Sequence, residues 1–331
     1  MNSLVAVTGA DGFIGSHLVE ALVDRGHRVR AMVQYNSLGS WGWLDEVASD
    51  VLERVDVVPG DVRDPASVRD LILDAEVVYH LAALIAIPYS YRAPRSYVDT
   101  NVVGTLNVLE AVRELRTPRL VHTSTSETYG TALRVPIDEA HPLQAQSPYA
   151  ATKISADKLV ESYHASFGVP AVTLRPFNTF GPRQSARAFI PTVISQIAAD
   201  TGAVRVGALD PTRDFTFVAD TAEAFVAVGT ATAGDVAGQL YNSGTGREIS
   251  MGRLARTIAE LMGADPEFRG DATRERPAAS EVMRLVCDSG KLRRDAGWRP
   301  RHTLEEGLKD TIEWFLDPTN LARYRPSTYN I

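Results

Sequence analysis

The chain predicts an α/β fold: a doubly wound parallel sheet covered by helices, followed by a smaller α+β domain. Three observations carry that prediction. Short apolar runs rich in β-branched residues alternate with longer helical patterns through the first half. A glycine-rich turn joins the first run to the first helix, and regular alternation stops near Pro176. Strand–helix alternation of this kind buries a parallel sheet on both faces.

Leu4–Thr8 reads as a buried strand and Phe13–Arg25 as the helix after it. Arg28–Val33 and Val55–Pro59 are the next strands, and a helix opens at Asp64-Pro65, aspartate as N-cap and proline in the first turn. Val77–Leu81, Leu120–Ser124 and Val172–Arg175 complete the strand set, with helices near Pro94–Leu115 and Pro148–Phe167 between them. Thr303-Leu-Glu-Glu306 has capping-box spacing and starts a helix reaching Phe315. Residues 1–175 form the first domain, a segment of about 214–240 returns to it, and 176–331 are mainly the second domain. The cleft between them is the natural ligand site.

The 331 residues are 44% hydrophobic and 23% charged, values of a globular protein. A formal charge of −7 and the lack of any Lys/Arg run exclude nucleic acid as a partner. A single cysteine, Cys287, excludes an internal disulfide, and no histidine spacing suits a metal. That usage fits a reducing cytoplasm. The chain enters a strand at once without a signal peptide, and its longest apolar stretch contains His80 and stops at Pro88. That is too short to span a bilayer, so a cytoplasmic protein with no membrane partner is expected.

Gly9, Gly12 and Gly15 lie directly after the first strand and open the first helix. Glycines there let the backbone of Gly9, Asp11, Gly12, Phe13, Ile14 and Gly15 approach a pyrophosphate at a helix N-terminus. A Rossmann-type dinucleotide site is the reading; a tight strand–helix turn is the bland one. The acid expected after the second strand is missing from Val33-Gln-Tyr-Asn-Ser37, and no cation replaces it. Asn36 or Gln34 can bond ribose hydroxyls without charge, which favours NAD and leaves NADP open. Asp61-Val62 can meet the adenine, or Asp61 is a turn residue.

Tyr149 and Lys153, four residues apart, share one helix face, so the ammonium is expected to lower the phenol's pKa. Thr125, Ser126 and Glu127 follow a strand end just upstream. Tyr149 is the expected proton acceptor during hydride transfer, and Thr125 holds the reacting hydroxyl. Glu127 adds a carboxylate able to remove a proton from carbon, a function beyond plain alcohol oxidation.

Gly9xxGly12xxGly15, His80-Leu81-Ala82-Ala83, Thr125-Ser-Glu127, Tyr149xxxLys153 and Arg213-Asp-Phe215 together resemble the extended short-chain dehydrogenase/reductase family, over essentially the whole chain. The resemblance implies an NAD cofactor, contacts from Leu81, Ala82 and Ala83, and a homodimer formed through a four-helix interface. The Thr-Ser-Glu triplet is similar to nucleotide-sugar 4,6-dehydratases and to UDP-glucuronate decarboxylases. Tyr35-Asn-Ser37 leading to Trp41-Gly-Trp-Leu44, Ile87-Pro-Tyr-Ser-Tyr91, Gly181–Arg187 and Tyr329-Asn-Ile331 resemble dehydratases of legionaminic-acid-type pathways. These act on nucleotide-linked N-acetylglucosamine, here expected as the UDP or GDP sugar. Many glucose-type relatives carry Asp where this chain has Ser126, so Glu127 itself or Ser126 protonates the leaving hydroxyl.

A diphosphate needs cations, and Arg183, Arg187, Arg213 and Arg276 are candidates. The resemblance points to Arg213 and Arg276 for the diphosphate and to Asn178 for phosphate or sugar. The alternatives are a decarboxylase, a C4 epimerase that needs no C5 base, and a non-catalytic dinucleotide-binding protein.

Overall fold

The computed structural model describes residues 3–232, 236–326 and 328. Its main sheet has seven strands, all parallel, in the order β10-β6-β5-β4-β1-β2-β3. These are β1 (Leu4–Thr8), β2 (Arg28–Gln34), β3 (Val55–Gly60), β4 (Val77–His80), β5 (Arg119–Thr123), β6 (Ala171–Pro176) and β10 (Leu240–Ser243). From β1 the order runs outward both ways, so the carboxyl ends of β1 and β4 flank the switch-point crevice where such sheets bind ligands. Thr8 and His80 face each other across that crevice in register.

Both faces are covered as the alternation predicts. One core packs helices Phe13–Asp24 and Val218–Thr230 on the sheet through Leu18, Leu22, Phe225 and Val228. The other sets Pro65–Ile72, Gly104–Leu115 and Pro148–Phe167 on the opposite face through Val68, Leu71, Leu109 and Val160. Asp64 caps its helix by accepting from the Ala66 and Ser67 N–H groups, and Thr303 and Glu306 form the capping box.

The continuous helix expected over Pro94–Leu115 is broken. Pro94–Tyr97 passes into a wide π turn, Val98–Val103, before the helix resumes at Gly104. Gly104 lies against Val62, whose methyl a Cβ would meet at 2.9 Å. The extra residue in the wide turn aims Asn101 into the interior, a use of π turns common near functional sites.

Beyond Pro176 two small sheets form. β7 (Asn178–Phe180), β9 (Thr212–Phe217) and β11 (Glu248–Ser250) make one; β8 (Ala203–Val206) and β12 (Glu267–Gly270) make the other. Helices Phe189–Ala198, Met251–Leu261 and Leu304–Leu316 pack on them around Phe180, Ile194, Ile258 and Phe315. The chain returns from this region through helix Val218–Thr230, which lies on helix Phe13–Asp24, to β10 at the sheet edge. Tyr329-Asn-Ile331 lies outside the described residues.

Candidate active site

The glycine turn is built for close approach. Gly9 has a left-handed φ of +68, and a Cβ on it would sit 2.7 Å from the Ala82 nitrogen. A Cβ on Gly15 would overlap the Gly9 carbonyl oxygen. The helix then starts at Gly12 with no side-chain cap and no acidic residue in its first turn, leaving its N–H groups for an anion. The cradle fits a dinucleotide pyrophosphate. Asp11 is turned outward from the turn: its Oδ2 accepts from Gln34 N–H at 3.0 Å, its carbonyl accepts from Trp43 N–H at 3.0 Å, and burial raises its pKa.

Asn36 organises its own loop, accepting from Leu38 N–H at 3.0 Å and donating to the Ser40 carbonyl at 2.7 Å. A ribose would compete with those bonds. Asp61 pairs with Arg63 at 2.5 Å, and that hydrogen bond lowers its pKa. Val62 is buried under Gly104.

A hydrogen-bonded chain joins this end of the sheet to the tyrosine helix. Thr8 Oγ1 accepts from Leu81 and Ala82 N–H, both at 3.1 Å, and meets His80 Nδ1 at 2.8 Å. His80 Nε2 meets Thr105 Oγ1 at 3.1 Å, and that hydroxyl donates to the Asn101 carbonyl at 2.7 Å. The Thr105 proton is thereby committed, so His80 donates from Nε2 and accepts at Nδ1. A neutral imidazole results, as burial, which drives its pKa far down, also requires. The Asn101 amide bonds the Leu84 backbone at 2.8 and 2.9 Å and donates to Thr152 Oγ1 at 3.1 Å; Thr152 donates to the Tyr149 carbonyl at 2.8 Å. Sequence reading missed Asn101 and Thr105. Their signal was polar residues placed within an apolar helical stripe.

Ser147 caps helix Pro148–Phe167 and places Tyr149 in its first turn and Lys153 one turn later. Thr125, at the end of β5, accepts from Glu127 N–H at 3.3 Å and hydrogen-bonds the Tyr149 phenol. The structure brings Thr125, Ser126, Glu127, Tyr149 and Lys153 together, with Ser126 buried at 3% exposure.

One expectation is corrected. Burial raises the Tyr149 phenol well above its ordinary value, the Thr125 bond opposes this, and the Glu127 charge adds to it. Lys153 instead donates to the Thr123 carbonyl at 2.6 Å, and burial lowers its pKa to about 8. In the protein alone the phenol keeps its proton, because desolvation outweighs a cation committed elsewhere. Tyr97 and Ile87 pack on the Tyr149 ring, with Tyr97 edge-on at 6.3 Å.

The facing wall comes from the segments beyond Pro176. Arg276 Nη1 lies 3.4 Å from Glu127 Oε2, and Arg213 Nη2 lies 3.3 Å from Glu281 Oε1. Burial lowers the Arg213 pKa, and Glu127 lies close enough to oppose that shift. Arg187 lies near Tyr97, whose phenol burial pushes up to about 12. Asn178 Oδ1 is buried and accepts no hydrogen bond from the described residues. Arg183 leaves the cleft: it pairs bidentately with Glu20, both contacts at 2.8 Å, and clamps the linker to the first helix. Among the described residues no His/Cys/Asp/Glu group could hold a metal, and no helix is long and apolar enough to cross a membrane.

The family model described as GDP-mannose 4,6 dehydratase matches residues 6–311. A dTDP-glucose 4,6-dehydratase of Mycolicibacterium smegmatis is 35% identical over 324 residues, 97% of this chain and 95% of the relative. A UDP-glucose 4-epimerase of the same organism is 33% identical, over 93% and 97%. Among solved structures, DesIV, a dTDP-glucose 4,6-dehydratase from Streptomyces venezuelae with NAD bound, superposes with a TM-score of 0.86 at 28% identity, covering 98% of this chain and 99% of that one. With the seven-stranded sheet and the glycine cradle, these matches show that the chain belongs to the NAD-dependent nucleotide-sugar 4,6-dehydratase/4-epimerase family, within the extended short-chain dehydrogenases/reductases.

Proposed function

We propose that the protein is a nucleotide-sugar 4,6-dehydratase acting on UDP- or GDP-linked N-acetylglucosamine. The observation that carries the reaction is Glu127, two residues after Thr125 in the same turn and close enough to Tyr149 to load the phenol electrostatically. An epimerase needs no carboxylate there. The sugar identity rests on the Trp41–Leu44 and Ile87–Tyr91 segments, the latter lying beside the Tyr149 ring.

Gly9, Gly12, Gly15 and the N–H groups of Phe13 and Ile14 would hold the cofactor pyrophosphate, and Leu81, Ala82 and Ala83 would contribute further cofactor contacts. Bound NAD supplies the hydride acceptor for C4 and the hydride donor for C6. Thr125 lines up the sugar 4-hydroxyl, and Tyr149 accepts its proton once Lys153 and the positive nicotinamide offset the burial cost. The resulting C4 ketone acidifies the C5 hydrogen, which Glu127 removes. Glu127 then protonates the C6 hydroxyl, directly or through Ser126, and water leaves. Hydride returned to C6 and a proton taken from solvent at C5, with the Tyr149 proton released to solvent in exchange, complete a 4-keto-6-deoxy sugar.

Arg213, Arg276, Arg187 and Asn178 bind the diphosphate and sugar. Arg276 is held by Glu127 before substrate arrives, and the incoming phosphate competes for its guanidinium. The carboxylate released by that exchange is the C5 base.

A second copy of the chain covers Val98 and Val103, which lie exposed on the wide turn. Beside them Ile154 and Leu159 on the tyrosine helix stay partly open, giving a four-helix interface. Light scattering at micromolar concentration is expected to give the dimer mass; a monomer mass contradicts this.

The test is incubation with a panel of nucleotide sugars, read by mass spectrometry. Loss of water from a UDP- or GDP-N-acetylhexosamine is expected. Release of carbon dioxide from UDP-glucuronate would assign a decarboxylase instead. The epimerase reading draws support from the relatives named as 4-epimerases, and isomerisation without mass change would establish it.

A further inference from the structure

Beneath the Tyr149–Lys153 pair the same helix carries a third group, one turn further on. Asp157 is buried at 6% exposure. Its Oδ1 accepts from His122 Nε2 at 3.2 Å; its Oδ2 accepts from Ser124 Oγ at 2.6 Å and from Arg175 Nη2 at 2.5 Å. Arg175 Nε also donates to Ser124 Oγ at 3.2 Å, and its guanidinium stacks 4.6 Å above the Tyr129 ring. One carboxylate thus ties together the end of β5, which leads into Thr125-Ser-Glu127, the end of β6, which leads to Asn178, and the catalytic helix. The dehydratase mechanism uses none of these four side chains.

The charges make this more than a bracket. Lys153 and Arg175 are two buried cations; the buried Asp157 carboxylate pairs with Arg175 and lies one helical turn from Lys153. His122 donates from Nε2 and, among the described residues, finds no partner on Nδ1, the pattern of a neutral imidazole. Burial lowers the His122 pKa further. Burial also opposes the charge on Asp157, but Arg175 and the His122 and Ser124 bonds hold its carboxyl well below the usual range. Burial lowers Lys153, Asp157 offsets that, and Arg175 adds to it.

We propose that Asp157 is a positioning residue for the redox step: from one turn below Lys153 it holds the ends of β5 and β6 and the tyrosine helix together, fixing the Lys153 ammonium against the Thr123 carbonyl and the strand end that presents Thr125 and Glu127. The inference rests on the role given to Tyr149 and Lys153 above. A purely structural carboxylate would serve stability alone; this one also sets the pH at which Lys153 loses its proton.

The titratable groups that act on Lys153 or Asp157 are His80 from β4, His122 from β5, Arg175 from β6 and Tyr149 on the same helix, with Tyr129 lying under Arg175. On the outer side, Asp157 and Arg175 reach a cavity of about 520 Å³ that also holds Glu139, His141, Lys158, Glu161, His164 and Lys291. There Lys158 pairs with Glu161 at 2.6 Å, Lys291 bonds the Leu240 carbonyl at 3.0 Å, and Glu139 accepts from Asn242 N–H at 2.9 Å. Of the carboxylates in this region, Asp157, one helical turn from Lys153, is the one that acts on it.

The experiment is the pH profile of turnover for the NAD-loaded enzyme between pH 6 and 10, on the sugar identified by the panel. Asp157→Asn should move the basic limb down by about one pH unit and lower kcat about tenfold with KM little changed. Asp157→Glu should restore the limb. Arg175→Gln, which removes the competing cation, should move it up. If Asp157→Asn does not fold, Ser124→Ala takes its place: with one donor fewer the carboxylate acts more strongly on Lys153, and the limb moves up. Limbs that coincide with the wild type in every folded variant overturn the inference. A wild-type enzyme that never reduces its cofactor overturns the functional reading instead.

Discussion

The two walls of the cleft are built on opposite principles. On the sheet side, polar groups are bonded to one another in closed chains: Thr8 to His80, Thr105, Asn101, Thr152 and the Tyr149 backbone, and Asp157 to His122, Ser124 and Arg175. On the other side, the ion pairs are longer, Arg276 to Glu127 at 3.4 Å and Arg213 to Glu281 at 3.3 Å, and Arg213 is also anchored by donating to the Thr212 carbonyl at 2.9 Å. Buried networks whose members are nearly all paired, His122 Nδ1 being the exception here, fix geometry. Loose ion pairs can be exchanged for a better anion, and a diphosphate is one. On the proposed function, one wall would hold the chemistry still while the other waits for substrate.

Glu127 belongs to both walls, so its removal gives the largest expected effect. Glu127→Gln should lower dehydration by about a thousandfold or more, on the scale of losing a positioned general base, while C4 oxidation still reduces the bound cofactor. Absorbance of the reduced cofactor and product mass check the two steps separately. Undiminished turnover would move the protein to the epimerases.

Next in size is Arg276→Ala, which frees Glu127 but removes a phosphate partner. A lost charge-assisted bond of about 1.5–3 kcal/mol raises KM for the nucleotide sugar roughly ten- to a hundredfold. Calorimetric titration with the nucleoside diphosphate reads the same loss. An unchanged affinity would show that the pair with Glu127 is structural and that the second wall does not exchange.

Asn101→Ala probes the fixed wall without touching a reacting group. It leaves the Leu84 backbone groups and Thr152 short of partners, a cost of about 1–3 kcal/mol. Thermal unfolding should fall by several degrees, with kcat reduced less than by Glu127→Gln. If activity vanishes while stability holds, the chain from His80 to Tyr149 has a direct role in proton transfer.

The smallest effect is a slope in stability against pH. Lys153 has a folded pKa of about 8, below its ordinary value of 10.5. The unfolded chain therefore binds more protons between those values, and stability rises with pH across that window. Below pH 8 the buried ammonium is charged in both states and its cost is fully present. Lys153→Met should flatten the rise, as read by denaturant unfolding at pH 7.5 and 9.5.

The same contrast explains what was legible in the sequence. The strands, the helix Pro148–Phe167 and the caps at Asp64, Ser147 and Thr303 follow from local periodicity and short-range hydrogen bonds. Thr125, Glu127, Tyr149 and Lys153 converge as their order along a βαβ path implies. The break at Val98–Val103 was invisible because its cause is tertiary: Val62 against Gly104 and the needs of Asn101. Arg183 was placed among the phosphate cations, yet its partner Glu20 lies 163 positions away. The phenol of Tyr149 shows the same limit, since helix spacing reveals a neighbouring cation but not the burial that outweighs it.

The central claim is tested most directly with a substrate deuterated at C4, turned over in unlabelled water with NAD bound. The account predicts a 4-keto-6-deoxy product carrying the deuterium at C6, delivered within the same molecule. Deuterium returned to C4, or product retaining its C6 oxygen, would contradict it.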